Sequence, residues 1–383
     1  MDFNWTSEQN VLYERMLEFS RNHLNSFLPN IFDGCSAEFS RQCWEQCGKV
    51  GLLALSVPEE YGGKGLGTLS TARALEAFGK GCEDGGLLFS VAAHLCATVM
   101  PIVEFGHDAL KAQFLPKLGN GEWIGANAMT ETQAGSDISQ LKTQAILEGD
   151  NYVLTGTKSY VSNGPVADVY VVYAMTQPQH GSLGISAFLV AREQLNVRPG
   201  TPFNTMGLNS TPISSVEFDY CQIPKQQLIG HPGQGSEIFA RSMQWERTCL
   251  FATYLGTMER QLERTIHHAT HRKQSRRPIG KKQAIAHRIA DMKLRLESAR
   301  LLLYRACWLM DQSLDAALEV SMAKLAISES AIQSSLDALH IHGGAGYLQK
   351  TGIERSVRDA IPSTIFSGTS EIQRDIIANR LGL

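Results

Sequence analysis

The sequence predicts a mainly helical protein with a small β domain in the middle of the chain. At both ends, segments such as TLSTARALEAFGKG carry apolar residues three and four positions apart, the pattern of a helix with one buried face. Between the ends lie short runs rich in Val, Tyr, Phe and Thr, such as ADVYVVYAMT and ISSVEFDYCQIP, separated by Gly, Asn, Asp and Pro. The predicted order is therefore helices, then strands, then helices.

This order predicts three domains. We assign residues 1–120 to an N-terminal helical domain, residues 121–230 to a small antiparallel β-sandwich or barrel, and residues 231–383 to a C-terminal helical bundle. One of the two long predicted helices of the bundle carries an apolar stripe made of Ile285, Ile289, Met292, Leu296, Ala299, Leu303 and Ala306.

Composition argues against several classes of protein. The chain has 383 residues, of which 43% are apolar and 19% charged, and its net charge is -3, so we expect no nucleic-acid partner. We expect no apolar run of the roughly 18 residues that a membrane span needs. The segment MDFNWTSEQ is too polar for a secretory signal. The eight cysteines are scattered without zinc spacing, which predicts reduced thiols in the cytoplasm.

Two segments offer groups that could bind an anion or a metal. The loop MTETQAGSDISQL, residues 129–141, could hold a pyrophosphate or a ring edge, although an ordinary turn-rich loop is the favoured alternative. The basic segment HHATHRKQSRRPIGKK, residues 267–282, could meet phosphate or an acidic partner. His267 and His271 lie four apart, but no glutamate stands between them as in H-E-x-x-H, so we predict no metal site.

A carboxylate stands among apolar residues in QWERTCLF, residues 244–251. If Glu246 lies in a pocket beside aromatic rings, its pKa is raised and it could act as a base. The alternative is a surface glutamate paired with Arg247 or Arg241, and the residues alone favour this second interpretation.

The stretch IFSGTSEIQR, residues 365–374, combines a small turn with the start of a helix. Ser370 and Gln373 fit the capping box, in which each side chain bonds the backbone N–H of the other residue. The glycine and the hydroxyl groups could also leave the N-terminus of this helix open to an anion or a carbonyl group.

Several motifs, taken in order, resemble the acyl-CoA dehydrogenase family of flavoproteins over essentially the whole chain. They are M-T-E-T-Q-A-G-S-D at 129–137, K-S-Y-V-S-N-G at 158–164, R-K-Q at 272–274, H-G-G-A-G-Y at 342–347, E-R-S-V-R-D-A at 354–360 and S-G-T-S-E-I-Q-R at 367–374. The resemblance implies the acyl-CoA dehydrogenase fold and non-covalently bound FAD. It also implies that a base removes the α proton of an acyl thioester while a hydride leaves the β carbon.

The same resemblance implies which residues contact the cofactor. They are Met129, Thr130, Gly135, Ser136, Tyr160, Ser162, Arg272, Gln274, Gln283, His340, Gly343, Gly344, Thr369 and Glu371. Of these, Arg272, Gln274 and the segment 340–344 would reach the FAD of a neighbouring subunit, which implies a dimer or a homotetramer built as a dimer of dimers. Substrate contacts carry over to Ser136, Gln244 and Gly368.

Two departures from the family pattern affect the predicted site. Many members carry the catalytic glutamate at the position of Ser367, and serine cannot serve as this base. A minority place it on an earlier helix, directly before an arginine, and Glu246 with Arg247 fits that arrangement. The resemblance then implies Glu246 as the base, Arg247 as its support and the backbone N–H of Ser367 as a donor to the thioester carbonyl. The second departure is Q-S-R at 274–276, where an aromatic residue is usual.

Within the family, the chain resembles the branch that oxidises an L-prolyl group tethered to an acyl or peptidyl carrier protein in natural-product biosynthesis. FSVAAHLCA at 89–97 and MQWERTCLF at 243–251 carry this resemblance. It implies a prolyl-phosphopantetheine carrier protein as partner and a pyrroline or pyrrole thioester as product. The electron acceptor stays open between an electron-transfer flavoprotein and O2. A short branched-chain acyl-CoA substrate of the isovaleryl type and an inactive interaction protein also stay open.

Overall fold

The computed structural model of the protein describes residues 4–25 and 39–383. Its N-terminal part is helical: α1 Ser7–Phe19, α2 Arg41–Val50, α3 Thr68–Gly81, α4 Gly85–Ala93, α5 Met100–Phe105 and α6 Asp108–Gly119. A π-helical segment, His94–Val99, joins α4 to α5, so the two form one continuous helix. The predicted order of helices, strands and helices is confirmed.

The continuous helix Gly85–Phe105 is the most apolar helix among the described residues. It has 21 residues and is apolar enough to cross a membrane by length and composition, so the expectation of no such run is wrong. However, 89% of its most apolar window is buried inside the protein. It has the burial of a core helix, whose sides are all covered by protein.

The middle of the chain forms an eight-stranded sheet within the described residues. Its strands are β1 Gly125–Ala128, β2 Gln144–Glu148, β3 Asn151–Ser162, β4 Val169–Met175, β5 Ile185–Ala191, β6 Val197–Pro199, β7 Ile213–Pro224 and β8 Leu228–Ile229. Most neighbours are antiparallel, as predicted, but β1 and β2 both pair in parallel with β4. The prediction of purely antiparallel strands is therefore wrong at β4, because the chain between these strands is long enough for a parallel crossover.

Strand β4 is buried along its whole length because both faces of the sheet are covered. Val171 and Tyr173 belong to the core that the sheet shares with the helices, whereas Tyr170 and Val172 belong to the core of the β domain itself. This alternation follows from the two-residue period of a strand. The continuous apolar run ADVYVVYAMT is thus explained by a central strand.

The two long strands β3 and β7 pair from Asn151↔Pro224 to Ser162↔Ile213. A register shift lies between Lys158 and Val161, where Tyr160 adopts the left-handed conformation with φ of 56° and its side chain is 63% exposed. Such bulges change the direction of a strand and of its side chains. The irregular end of β3 lies at the cavity described below.

The C-terminal part is helical again: α7 Gly235–Trp245, α8 Phe251–His271, α9 Gln283–Asp311, α10 Ala317–His342, α11 Ile353–Ala360 and α12 Ser370–Arg380. A π-helical segment, Glu246–Leu250, joins α7 to α8. A short hairpin, β9 Lys273–Gln274 with β10 Arg277–Pro278, follows α8. On α9 the predicted stripe is buried from Met292 to Ala306, while Ile285 and Ile289 are half-buried.

Helices of the first and last parts share one apolar core. Helix α3 crosses α8 closely, and a Cβ added to Gly79 would lie 2.1 Å from the Thr253 carbonyl oxygen. A Cβ added to Gly256 on α8 would lie 2.0 Å from the carbonyl oxygen of Glu76 on α3. These contacts require glycine on both sides of the crossing, which locks the N-terminal helices against the C-terminal bundle.

Candidate active site

A cavity of about 440 Å³ lies where the β domain meets the helices. Its walls come from the loop 129–138, the end of β3, the junction of α7 with the π-helical segment, and the segment 365–372. The predicted site residues that line it are Met129, Thr130, Gly135, Ser136, Tyr160, Ser162, Glu246, Arg247, Ser367, Gly368 and Thr369. Residues from all these distant segments therefore meet at one place. We call this space the front cavity.

Glu246 begins the π-helical segment between α7 and α8, and only 9% of its surface is exposed. Burial raises the pKa of its carboxyl to about 7, while the Ser367 hydroxyl and the charge of Arg247 act in the opposite direction. The Ser367 hydroxyl donates a 2.7 Å hydrogen bond to Oε2 of Glu246. A carboxyl with this pKa is partly ionised at neutral pH, as a general base requires.

Arg241 is not the partner of Glu246, so the interpretation of a surface ion pair with it is wrong. Arg241 instead binds Glu104 with N–O distances of 2.8 and 3.0 Å, and the Trp245 indole donates to the same carboxylate at 2.8 Å. Gln244 belongs to this cluster because its side-chain oxygen accepts from Arg241 at 2.9 Å. The sequence predicts that Gln244 contacts the substrate. Gln244 is not one of the described residues that line the front cavity.

The turn at Ser367 and Gly368 has left-handed backbone conformation at both residues, with φ of 56° and 86°. Arg247 Nε donates to the Ser367 carbonyl at 2.8 Å, and Gln373 Nε2 donates to the Gly368 carbonyl at 3.0 Å. Gln373 is completely buried, and its Nε2 also lies 3.4 Å from the Ser367 carbonyl. Among the described residues no backbone or side-chain acceptor takes the Ser367 N–H. The donor role that the resemblance implies for this N–H stays a prediction, and it needs an N–H without a protein acceptor.

Helix α12 begins one residue earlier than the predicted capping box requires. Its N-cap is Thr369, whose hydroxyl accepts the N–H of Ile372 at 3.3 Å. The capping box of Ser370 and Gln373 is therefore wrong. The Gln373 side chain instead donates to the carbonyl groups of Ser367 and Gly368 in the preceding turn. These carbonyls lie outside the helix, so they accept no hydrogen bond from its backbone ladder.

A buried ion pair holds the loop 129–136 against β3. Lys158 is fully buried, and its ammonium group lies 2.9 Å from both the Met129 carbonyl and Glu131 Oε1. Burial lowers the pKa of Lys158 to about 8, against the attraction of Glu131. The Glu131 carboxylate also accepts the N–H groups of Lys142 and Thr143 at 2.8 and 2.9 Å. The loop that lines the front cavity is thus fixed at both of its ends.

The front cavity has the size and the polar lining groups of a ligand site. Its volume lies within the range of about 300–1,000 Å³ that is common for ligand sites. A Cβ built on Gly135 would meet no atom within 4 Å, so the loop is open toward the cavity. The side-chain oxygen of Asn163, which lines the cavity, is buried and has no donor among the described residues. A ligand N–H would satisfy it.

Several predicted cofactor residues lie outside the front cavity: Arg272, Gln274, Gln283, His340, Gly343, Gly344 and Glu371. Arg272 lines a separate open depression together with His267, His268, His271 and His342. The rings of His267 and His271 stack at 4.2 Å between centroids. Residues 4–25 and 39–383 contain no group of three or more His, Cys, Asp or Glu side chains that could hold a metal ion.

Matches to family models cover almost the whole chain. Residues 6–122 match "Acyl-CoA dehydrogenase, N-terminal domain", residues 126–221 match "Acyl-CoA dehydrogenase, middle domain", and residues 233–382 match "Acyl-CoA dehydrogenase, C-terminal domain". The chain belongs to the acyl-CoA dehydrogenase family. The resemblance inferred from the sequence motifs is thereby confirmed.

Individual members of the acyl-CoA dehydrogenase family are similar along nearly the full length. An L-prolyl-[peptidyl-carrier protein] dehydrogenase of Pseudomonas fluorescens is 54% identical over 349 residues, 91% of this chain and 92% of that protein. A crystal structure of the prolyl acyl carrier protein oxidase AnaB matches with a TM-score of 0.96 and 40% identity, over 99% of this chain and all of that one. A structure of PigA with FAD and proline matches over both full chains with a TM-score of 0.96 and 42% identity.

Sequence reasoning missed several contacts within this acyl-CoA dehydrogenase site. It assigned only a backbone role to Ser367 and did not use its hydroxyl, and it gave Gln373 a role in a local cap. It also overlooked Lys158 and Glu131, which stand 27 positions apart. Lys158 lies in the K-S-Y-V-S-N-G motif and Glu131 lies in the M-T-E-T motif. Nothing in the sequence indicates that these two side chains form an ion pair.

Proposed function

We propose that this protein oxidises an L-prolyl group carried as a thioester on the phosphopantetheine arm of a carrier protein, with FAD as the oxidant. The observation that carries the proposal is the buried Glu246 carboxyl, which lines the front cavity beside the Ser367 turn with a pKa of about 7. The prolyl substrate is supported by the activities of two similar proteins, a prolyl carrier-protein dehydrogenase and a prolyl carrier-protein oxidase. Natural-product biosynthesis, which the resemblance of the sequence motifs implies, is part of this proposal.

Two hydrogens leave the pyrrolidine ring in this reaction. Glu246 takes the α proton, and a double bond forms between the α and β carbons as the β hydrogen leaves with its electron pair. FAD, when bound, supplies the acceptor for that hydride. The direct product is an enamine thioester that tautomerises to a pyrroline thioester, and a second oxidation leads toward pyrrole.

Removal of the α proton places negative charge on the thioester oxygen. The free N–H of Ser367 is the donor that this chain offers to that oxygen, and Arg247 keeps the turn in place through the Ser367 carbonyl. Burial lowers the pKa of Arg247 to about 10, so it still carries a positive charge beside the base at neutral pH. Removing a donor of this kind costs about 10²–10³-fold in rate in other enzymes.

The residues that would hold FAD come mainly from the β domain. Thr130 and Ser136 offer hydroxyl groups on the loop that Lys158 pins, and Tyr160 and Ser162 offer a ring and a hydroxyl at the bulged end of β3. The unpartnered oxygen of Asn163 offers an acceptor for a ring N–H. All of these groups line the same wall of the front cavity.

We infer that the active form is a homotetramer or, at the least, a homodimer. The predicted FAD residues outside the front cavity, such as Arg272 and Gln274, would then serve the cofactor of a neighbouring subunit. Helix α9 supports an interface because Leu294, Leu301 and Trp308 recur every seven residues and are 66%, 53% and 40% exposed.

Two further parts of the proposal concern the surroundings of the enzyme. The described cysteines are all free and buried, which supports the cytoplasm as its compartment. Either an electron-transfer flavoprotein or O2 reoxidises the cofactor.

The segment 271–282 is exposed except for residues 278–280 and does not line the front cavity, so its basic residues are free for a neighbour's cofactor or for the carrier protein.

The experiment that tests this function measures the removal of the α proton and the transfer of the β hydrogen separately. FAD-loaded protein is mixed without air with prolyl carrier protein in deuterated water, and flavin absorbance and α-hydrogen exchange are recorded. Glu246→Gln should keep its FAD and lose α-hydrogen exchange by about 10²–10⁴-fold, because only the base is missing. Glu237→Gln, on the same helix and exposed, is the matched control.

Intact prolyl thioester after mixing with the wild-type protein would overturn the proposed substrate, and bleaching by isovaleryl-CoA in its place would identify the alternative. Exchange retained in Glu246→Gln would remove Glu246 as the base. Admitting air then shows whether O2 accepts the electrons, and mass spectrometry of the thioester counts the hydrogens that are lost.

A further inference from the structure

A second, much smaller cavity lies behind the front cavity. Its volume is about 40 Å³, enough for a very few water molecules, and we call it the rear cavity. Leu88, Tyr254 and Met258 line it, together with polar groups that include Gln261 and Asp359. Among the described residues, Phe89 alone lines both cavities. Its side chain is therefore the partition between them.

The partition is a cluster of aromatic rings. The ring of Phe89 packs on Phe366 with 4.7 Å between centroids, and Phe366 packs in turn on Phe251 at 5.5 Å and Tyr254 at 6.3 Å. The Tyr254 hydroxyl donates to the Asp359 carbonyl at 3.0 Å, which ties the cluster to helix α11. Ring pairs at these distances stabilise one another beyond their burial, so the wall is rigid.

This wall lines the same cavity as the proposed base and the Ser367 turn. Phe366 precedes Ser367, whose N–H is the donor offered to the thioester oxygen, and Glu246 on the same cavity takes the α proton. With the thioester oxygen at the Ser367 N–H and the α carbon at Glu246, as proposed above, a substituent that extends away from the thioester meets Phe366 or Phe89. A small ring fits in front of these side chains, whereas a longer linear chain needs space that Phe89 occupies.

We propose that Phe89, packed on Phe366, is the specificity-determining residue that limits the acyl group to a short, compact one by closing the front cavity against the rear cavity. The inference rests on the proposed function for its prolyl substrate, but the partition itself is a property of the fold. Replacing the Phe89 ring by a smaller side chain joins the two cavities. The joined space then accepts linear acyl groups that the native enzyme excludes.

The experiment measures binding of unreactive substrate analogues to the FAD-loaded protein. S-alkyl phosphopantetheine thioethers with ethyl, butyl, hexyl and octyl groups are titrated by calorimetry. In the wild-type protein the affinity should stop rising beyond butyl. In Phe89→Ala it should continue to rise, by about fourfold for each further methylene group that becomes buried. Phe89→Leu keeps more of the core and should show a smaller extension, so a fold defect in the alanine variant leaves the test intact.

Two control variants distinguish the opening of the partition from a general loosening of the protein core. Leu88→Ala enlarges only the rear cavity, since Leu88 does not line the front cavity. Phe114→Ala removes a buried ring of α6 that packs on Trp123, away from the partition, and lines neither cavity. Both should keep the wild-type profile of affinity against chain length.

The proposal is overturned if the wild-type protein gains affinity equally up to octyl, if folded Phe89→Ala and Phe89→Leu keep the wild-type profile, or if the two controls extend it as much. The prolyl carrier protein assay is a separate measurement on the wild-type protein. If the prolyl thioester stays intact while the chain-length profile changes as expected, the partition stands and only the proposed substrate fails.

Discussion

The Ser367 hydroxyl donates a 2.7 Å hydrogen bond to the Glu246 carboxylate from 121 positions further along the chain. The family resemblance implies that many members carry the catalytic glutamate at the position of this serine. In this chain, the residue at that position contacts Glu246, the proposed base. The left-handed conformation at Ser367 and the Arg247 bond to its carbonyl hold the hydroxyl in place.

We expect Ser367→Ala to shift the pH dependence of α-hydrogen exchange. The hydroxyl stabilises the charged form of Glu246 and lowers its pKa, so its loss raises the pKa above 7. A hydrogen bond to a charged group contributes about 1.5 kcal/mol, which corresponds to roughly one pH unit. In the wild-type protein exchange should rise through about pH 7, and in the variant through about pH 8.

The measurement is the exchange rate of the prolyl α hydrogen from pH 5.5 to 9.5. The variant should be slow at neutral pH and recover near the alkaline end, because more of its base is then ionised. Ser370→Ala is the control, since the Ser370 hydroxyl is buried without a partner among the described residues. An unchanged midpoint in Ser367→Ala would falsify the role of the hydroxyl.

We expect Gln373→Leu to lower the turnover number by about 10-fold or more, with a smaller change in KM. Gln373 holds the carbonyl of Gly368, and without it the turn that presents the Ser367 N–H loses its anchor. Asn379→Leu, an exposed change on the same helix, should leave both parameters unchanged. Equal losses in both variants would point to a general effect on α12 rather than to the turn.

The buried pair of Lys158 and Glu131 should show strong coupling in stability. Lys158→Met leaves the Glu131 carboxylate without its cation and should lower the free energy of unfolding by about 3–5 kcal/mol. The double variant Lys158→Met with Glu131→Gln should recover part of that loss, because no unpaired charge stays buried. Denaturant unfolding of the wild-type protein, the two single variants and the double variant measures this coupling, and strictly additive losses would contradict it.

The exposed apolar residues of α9 should decide the state of assembly. Leu301→Glu places a charge at the centre of the row formed with Leu294 and Trp308, and we expect a smaller particle by light scattering. Leu183→Glu is the control, because Leu183 is 72% exposed but lies on the β domain. If Leu301→Glu keeps the mass of the wild-type protein, this face of α9 is not a subunit interface.

The sequence was sufficient for the order of elements and for the family. Helical periodicity and β-rich runs are local properties, and they predicted strands such as β4 and β7 in the middle part and the buried stripe of α9 from Met292 to Ala306. The parallel pairing of β1 with β4 could not be read in this way, because it joins strands separated by a long crossover. The capping box at Ser370 failed for a related reason, since Gln373 finds better partners in the adjacent turn.

The sequence by itself determined which chemical groups this protein carries: a glutamate before an arginine, a serine where many relatives have the base, and the motifs of a flavoprotein family. Only the tertiary structure decided what those groups do to each other. Burial sets the pKa of Glu246, the meeting of α7 with the segment 365–372 gives this carboxylate its hydrogen bond, and the packing of Phe89 on Phe366 sets the depth of the front cavity. These properties depend on distance and desolvation, which residues acquire only when distant segments of the chain are brought together.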